Sequence, residues 1–232
     1  MTAIDATLAG ARVRFTGRAG GVSAPPYDTL NLGPLTADDP ASVAENLRRA
    51  GDRLPVARLR QVHGARVLEA AATDVEGSLR EGDGLVTGRP GLALAAMTAD
   101  CLPVALAAGE AVGMVHAGWR GVAGGVLEAG LAALAALSGP APVHALIGPG
   151  AGACCYEVGP EVAAQFPGEH VRDGRLDLKA AARDRLLAAG VHTAGDVGRC
   201  TMCEPDVFFS HRRSGPVTGR QAGLIWRPSS TD

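Results

Sequence analysis

Short apolar runs alternate along this chain with stretches of helical period, and that alternation predicts an α/β fold. Residues 66–70, 92–98, 104–107 and 112–116 read as strands. Several are apolar at nearly every position, which predicts burial on both faces. Asp38-Asp39-Pro40 offers cap candidates and a first-turn proline for a helix to about Ala50, with Val43 and Leu47 on one face. Over residues 120–137 the period changes. Val122, Val126, Leu127, Leu131 and Leu134 recur at helical spacing, and Gly139-Pro140 ends the run. Residues 143–147 predict another strand, 148–152 a loop, and 160–166 and 178–189 two helices, the second closed by Gly190. Strands return at 207–209 and 219–226. No repeat or long linker separates these segments, so a single domain over 1–232 is expected.

Composition narrows the class. The chain has 232 residues, 47% of them hydrophobic, enough for a shared core and too many for a disordered chain. Aromatics are only 3%, so Ala, Val and Leu must fill that core. Net charge is −2 with no basic block or basic–aromatic stripe, which gives a nucleic-acid partner no support. The apolar stretches are broken by Arg89, Asp100, Glu110 and Glu128, and no membrane span is predicted. The first ten residues lack a basic segment followed by an apolar run. The expectation is a cytoplasmic protein without a membrane partner, monomeric or a small homo-oligomer. The five cysteines, an odd count without a secretory signal, argue against a disulfide framework and leave thiols for metal binding or catalysis.

Three motifs carry chemistry: Gln61-Val62-His63-Gly64, Thr98-Ala99-Asp100-Cys101-Leu102-Pro103 and Val115-His116-Ala117-Gly118-Trp119-Arg120-Gly121. Each reactive residue follows an apolar run or sits beside a turn glycine, so each is expected at a rigid strand end facing a cleft. Imidazole and thiolate are both zinc ligands, and a catalytic zinc takes three protein ligands with one position open. His63, Cys101 and His116 would supply that set. Two other readings fit the same residues. Cys101 and the histidines could be satisfied core residues. Alternatively, Cys101 could be a nucleophile with His116 as its base and Asp100 orienting the histidine, without metal.

At these motifs the chain resembles the purine nucleoside phosphorylase family formerly called laccase-domain or multicopper polyphenol oxidase proteins, also named peptidoglycan editing factors. The resemblance runs through Phe15-Thr16-Gly17-Arg18-Ala19-Gly20-Gly21-Val22-Ser23, Tyr27-Asp28-Thr29-Leu30-Asn31-Leu32-Gly33 and Gln61-Val62-His63-Gly64. It continues through Asp83-Gly84-Leu85-Val86-Thr87, Ala99-Asp100-Cys101 and His116-Ala117-Gly118-Trp119-Arg120-Gly121. Cys155-Tyr156-Glu157-Val158-Gly159 and Phe208-Phe209-Ser210-His211-Arg212-Arg213 complete it, with His211 where the family often has tyrosine. The resemblance implies zinc on His63, Cys101 and His116, and phosphorolysis of adenosine, inosine, guanosine and methylthioadenosine, with deamination of adenosine. Its implied substrates are purine nucleosides and phosphate. It also implies a layered α/β/β/α arrangement of mixed sheets, shared with some cysteine hydrolases.

Counting tests the oxidase name. A multicopper oxidase needs a blue-copper site and a trinuclear cluster fed by several His-x-His pairs. The six histidines here form no such pair, so multicopper chemistry is not expected. For phosphorolysis, an anion site is expected where the strand ending at His116 turns into a helix near Arg120. For deamination, a zinc ion would supply an activated water, with Asp83 or Asp100 shuttling protons. Arg18, Asn31 and Gln61 are expected substrate contacts by motif position. An amidase acting on peptidoglycan precursors is the alternative activity; a binding module without chemistry fits the convergent reactive residues poorly.

Two features stay outside these motifs. Cys200-Thr201-Met202-Cys203 could be half a zinc site or a redox pair. No second pair at suitable spacing is evident and Cys154-Cys155 are adjacent, so all four are expected to be structural. The loop at 148–152 has the wrong spacing for a dinucleotide fingerprint and is expected to wall the cleft.

Overall fold

Residues 3–75 and 79–229 are described by a computed structural model of the chain. In chain order, a hairpin of β1 (Ala3–Leu8) and β2 (Ala11–Thr16) precedes α1 (Pro40–Ala50), β3 (Val56–Ala57), β4 (Val67–Glu69), β5 (Gly84–Thr87) and β6 (Ala93–Thr98). β7 (Leu102–Ala108), β8 (Ala111–Ala117), α2 (Trp119–Ala123), α3 (Val126–Ser138), β9 (His144–Ile147) and α4 (Pro160–Ala163) follow. The chain closes with β10 (Val171–Arg172), β11 (Arg175–Leu176), α5 (Leu178–Ala188), β12 (Thr193–Asp196), α6 (His211–Ser214) and β13 (Gln221–Trp226).

Two mixed sheets dominate. One has the order β1-β2-β13-β6-β3, the other β12-β9-β7-β8-β5-β4. Alternation along the central strands explains how both faces are used. Leu94 and Ala96 of β6 join Val13, Phe15 and Ile225 against Ala105, Ala107, Val112 and Met114 of the second sheet. The intervening Ala93, Ala95 and Met97 pack on the other side with Leu47 and Ala50 of α1. Val104, Leu106 and Val115 point away from the first sheet, onto Val126, Leu127 and Leu134 of α3 and Leu178 and Leu186 of α5. Period-two burial on both faces is why these strands read as unbroken apolar runs.

Asp39 caps α1 as expected, its carboxylate accepting from the amides of Ala41 and Ser42. Three expectations change. The helix read over 120–137 is two helices, because Gly124 closes α2 and Gly125, at φ +87°, re-aims the chain before α3. The helix at 160–166 shrinks to the single turn of α4. Residues 207–209 form no strand. The amides of Val207 and Phe208 fold back on the Glu204 carbonyl, and the backbone of Phe209 bonds the Gln221 side chain instead of a ladder. The hairpin β1–β2 is an element that periodicity missed. Its turn places Ala9 and Gly10 at φ +46° and +81°, a conformation alanine seldom signals. Among the described residues no helix is long and apolar enough to cross a membrane.

Candidate metal centre

Strand register brings the three motifs together. β7 and β8 are antiparallel with Leu102 opposite Ala117, so Cys101, one residue earlier, meets the chain just beyond His116. β5 pairs with β8 through Gly84 and Val115, which sets Asp83 across from His116, whose amide donates to the Asp83 carbonyl at 2.7 Å. β4 lies beside β5, and its approach, residues 61–66, runs past Asp83. His63, Cys101 and His116 therefore converge at one end of one sheet, each with a ligand atom within 4.8 Å of the others. The two imidazoles meet edge to face with centroids 4.8 Å apart. His116 is buried, Cys101 partly buried and His63 exposed. Such a set can hold one metal ion with a side open to solvent.

Asp83 organises this arrangement and is fully buried. Its Oδ1 accepts from His116 Nδ1 at 2.8 Å and from the His63 amide at 2.9 Å. Its Oδ2 accepts from the Gly64 amide at 2.7 Å and the Val62 amide at 3.3 Å. The carboxylate fixes the His116 proton on Nδ1, which leaves the Nε2 lone pair for a metal. It also holds His63 at φ +60°, in the left-handed region. Burial opposes the charged form of Asp83, but the His116 hydrogen bond and the loop amides hold its pKa below the usual value.

The electrostatics suit ligation. Burial works against a Cys101 thiolate, yet the facing His116, with hydrogen bonds from both histidines, brings the thiol down to about 6. Burial likewise works against an imidazolium, and the Cys101 and Asp83 charges raise His116 to about 9. Without metal these two groups form a thiolate–imidazolium pair near neutral pH; a cation would displace the His116 proton.

The centre opens into a cleft of about 450 Å³. Leu35, Leu59, Met97, Trp119 and Tyr156 give it apolar walls, and Arg120, Arg212, Arg220 and His211 give it positive or polar edges. Arg120 stacks over the Trp119 ring at 4.3 Å, and Arg212 over Tyr156 at 5.1 Å. Arg220 donates to the Thr218 and Gly219 carbonyls at 2.8 and 3.0 Å. A roomier depression beside β1 and β2 is lined by Asp5, Arg14 and Asp52, whose charges already pair with one another.

Other sequence candidates separate on inspection. Gln61 lines the cleft, but both ends of its amide bond the Met97 backbone at 2.8 Å. Asp100 also reaches the cleft; it is buried at φ +95° and accepts from Thr201 Oγ1 at 2.6 Å and the Arg212 amide at 2.7 Å. Arg18 grips Asp28 and the Pro205 carbonyl, and Asn31 is buried among Thr36, Asp38 and the amides of Gly33 and Arg220. Neither Arg18 nor Asn31 lines the cleft. Arg213 serves the backbone, donating to the carbonyls of Thr201, Met202 and Phe208. The loop at 148–152 is not a cleft wall: Gly148 packs on Phe15 and Pro103, and Gly150 on Leu102. Motif reading did not single out Arg220 or Met97 and gave Tyr156, within its motif, no role; all three reach the cleft through tertiary packing. It also kept apart Cys154, Cys155, Cys200 and Cys203, whose sulfurs the fold gathers into a second cluster.

Gly118 admits no side chain beside this centre. A Cβ there would lie 2.9 Å from Cys101 Sγ and 3.2 Å from His63 Cδ2. Gly118→Ala is expected to weaken metal binding on the order of tenfold by displacing two ligands. Competition against a chelator of known affinity checks this, and an unchanged affinity would show that the ligands have room to move.

Comparison with known proteins places the chain among relatives. A family model described as "Multi-copper polyphenol oxidoreductase laccase" matches residues 12–228. The chain is 45% identical over 230 residues to a Deinococcus radiodurans protein named "Purine nucleoside phosphorylase", covering 92% of this chain and 88% of that one. It is 40% identical over 225 residues to an Escherichia coli protein named "Purine nucleoside phosphorylase YfiH", covering 90% of each. Among solved structures, a Neisseria meningitidis protein superposes with a TM-score of 0.87 at 36% identity, over 99% of this chain and 100% of that one. YlmD from Geobacillus stearothermophilus gives 0.86 at 35% identity, over 95% and 93%.

Proposed function

The chain belongs to the family described as multi-copper polyphenol oxidoreductase laccase, and from that premise we propose that it is a zinc-dependent purine nucleoside phosphorylase. The proposed substrates are phosphate with adenosine, inosine, guanosine or methylthioadenosine, and deamination of adenosine is a second proposed activity. The observation that carries this reading is the convergence of His63, Cys101 and His116 at the floor of a cleft edged by Arg120, Arg212 and Arg220. The relatives' printed names supply the reaction class. Packing in three clusters supports the α/β/β/α layering, and the kinship with cysteine hydrolases is part of the same proposal.

The donor set fits zinc: two imidazoles and one thiolate, one imidazole oriented by a carboxylate, and an open side. It does not fit multicopper chemistry. His63 and His116 are taken by this centre, His144 pairs edge-on with His192, and His170 faces Asp184. Only His211 is left, too few imidazoles to build a trinuclear cluster.

When bound, zinc would supply a Lewis acid and an activated water. The protein's own residues do the rest. Phosphorolysis forms a bond from a phosphate oxygen to C1′ and breaks the C1′–N9 bond; the electron pair leaves on the purine, which takes up a proton. Arg120 and Arg212, placed over the rings of Trp119 and Tyr156, offer guanidinium donors to a phosphate dianion. Met97, Leu59 and Leu35 give an apolar wall to the purine. Asp83 acts as a positioning residue through His116 and the His63 loop.

The deciding experiment incubates purified protein with inosine, with and without phosphate. Hypoxanthine appearing only with phosphate supports the proposal. No nucleoside turnover together with cleavage of a muropeptide precursor would replace it with the amidase reading. Arg120→Ala is expected to raise the KM for phosphate about tenfold or more through loss of a charge-assisted contact, with zinc content unchanged. An unaltered phosphate KM would remove Arg120 from the anion site.

A further inference from the structure

The second sulfur cluster lies outside the cleft and the proposed reaction does not use it. Cys154, Cys155, Cys200 and Cys203 place four Sγ atoms within 4.8 Å of one another. The closest approaches are 3.3 Å for Cys154–Cys203, 3.5 Å for Cys155–Cys200, and 3.6 Å for Cys154–Cys155 and Cys155–Cys203. All of these exceed the roughly 2.05 Å of a disulfide. Four thiolates about 2.3 Å from one zinc ion stand about 3.8 Å apart along the edges of a tetrahedron. We propose that these four cysteines bind a second, structural zinc ion, distinct from the centre at His63, Cys101 and His116.

The surroundings are those of a built site. The two arms are separated by 45 residues or more in sequence and are tied by backbone bonds: Gly150 to Arg199, and Thr201 to Gly150. The Gly152 amide donates to Cys200 Sγ at 3.3 Å, the kind of N–H···S contact that steadies a thiolate ligand. Gly152 lies close against the sulfurs: a Cβ there would stand 3.2 Å from Cys154 Sγ and 3.4 Å from Cys200 Sγ. Four thiolates on a dication leave a net charge of −2; Lys179, Arg183 and Arg199 line the surface beside Cys154 and Cys200, Lys179 paired with Asp196 and Arg199 with Glu204. The mutual proximity of the sulfurs suits a single ion more than a cluster of several metals. Exposure of Cys154 and Cys203 leaves one edge of the site open to solvent.

The position gives the ion a task. Thr201, inside the C-x-x-C turn, donates to Asp100, and the Ala151 amide on the other arm donates to the Asp100 carbonyl at 2.8 Å. Asp100 precedes Cys101, and Tyr156, which follows Cys155, lines the cleft. An ion joining the two arms would therefore brace the strand end that carries a ligand of the first centre.

The test is zinc counting on protein purified under reducing conditions. Wild type is expected to hold two ions per chain, Cys101→Ala one, and the double variant Cys154→Ser/Cys203→Ser one. The double variant should also lose at least about 5 °C in Tm. If it fails to fold, two other measurements decide: mercurial titration of wild type should release the second ion as four further thiols react, and cobalt loading of Cys101→Ala should show tetrathiolate charge-transfer absorption. One ion in wild type and none in Cys101→Ala would overturn the proposal. So would two ions surviving in the double variant, or a disulfide among the four cysteines in place of metal. Each outcome is independent of nucleoside turnover, so it does not depend on the phosphorylase reading.

Discussion

Cys101→Ala is expected to hold one metal ion fewer than wild type and to lose phosphorolysis by roughly a thousandfold or more. The size of the effect follows from the site. Cys101 is the one anionic donor of its centre, and against the cost of burial its charge, together with Asp83, raises the pKa of His116 to about 9. Deleting the thiolate leaves two neutral imidazoles, a donor set that holds zinc weakly. Folding should suffer little, because the side chain is small and only partly buried. Metal analysis, thermal unfolding and an inosine assay on one preparation separate the causes. Retained metal with lost turnover would favour the nucleophile reading of Cys101. Retained metal and retained turnover would remove the residue from the mechanism altogether.

Asp83→Asn should follow closely, with a loss of zinc affinity on the order of a hundredfold. The carboxylate accepts on both oxygens: His116 Nδ1 and the His63 amide on one, the Gly64 and Val62 amides on the other. An asparagine must turn its NH2 toward one side. Facing His116, it donates to Nδ1, moves the ring proton to Nε2 and removes the lone pair that a metal needs. That orientation also sets donor against donor at the His63 amide, while facing the loop does the same at Gly64 and Val62. Either orientation also leaves a buried amide without an acceptor, costing about 1–3 kcal/mol of stability. Zinc competition and denaturant melts read the two effects separately. An unchanged zinc affinity would mean that the loop holds His63 and His116 in place without the carboxylate.

Much of the architecture was legible because it is local. The α1 cap at Asp39, the doubly buried strands and the closure of α3 at Gly139 are written in neighbouring residues, and short-range sterics and hydrogen bonding act on neighbours. The candidate ligands were legible because each stands within a short motif; Cys101 and His116 lie at strand ends, whereas His63 lies in a bend before β4 that Asp83 holds. Where a local pattern has two outcomes, the reading failed. Apolar Val207, Phe208 and Phe209 look like a strand, but Glu204 and Gln221 take their backbone groups. A continuous helical period hid the Gly124–Gly125 break.

The sequence alone determined the α/β class and the three ligand candidates His63, Cys101 and His116, and its six histidines without a His-x-His pair gave multicopper chemistry no support. Tertiary structure decided the roles of everything around them. It alone turned Asp83 from a proton-shuttle candidate into the buried partner of His116, moved Asn31 and Arg18 into internal bracing, and brought Arg220 and Tyr156 to the cleft. It also joined Cys154-Cys155 to a C-x-x-C turn far along the chain. The physical reason is separation along the chain: strand register and loop crossings close these contacts, and no one segment contains the hydrogen bonds that fix them.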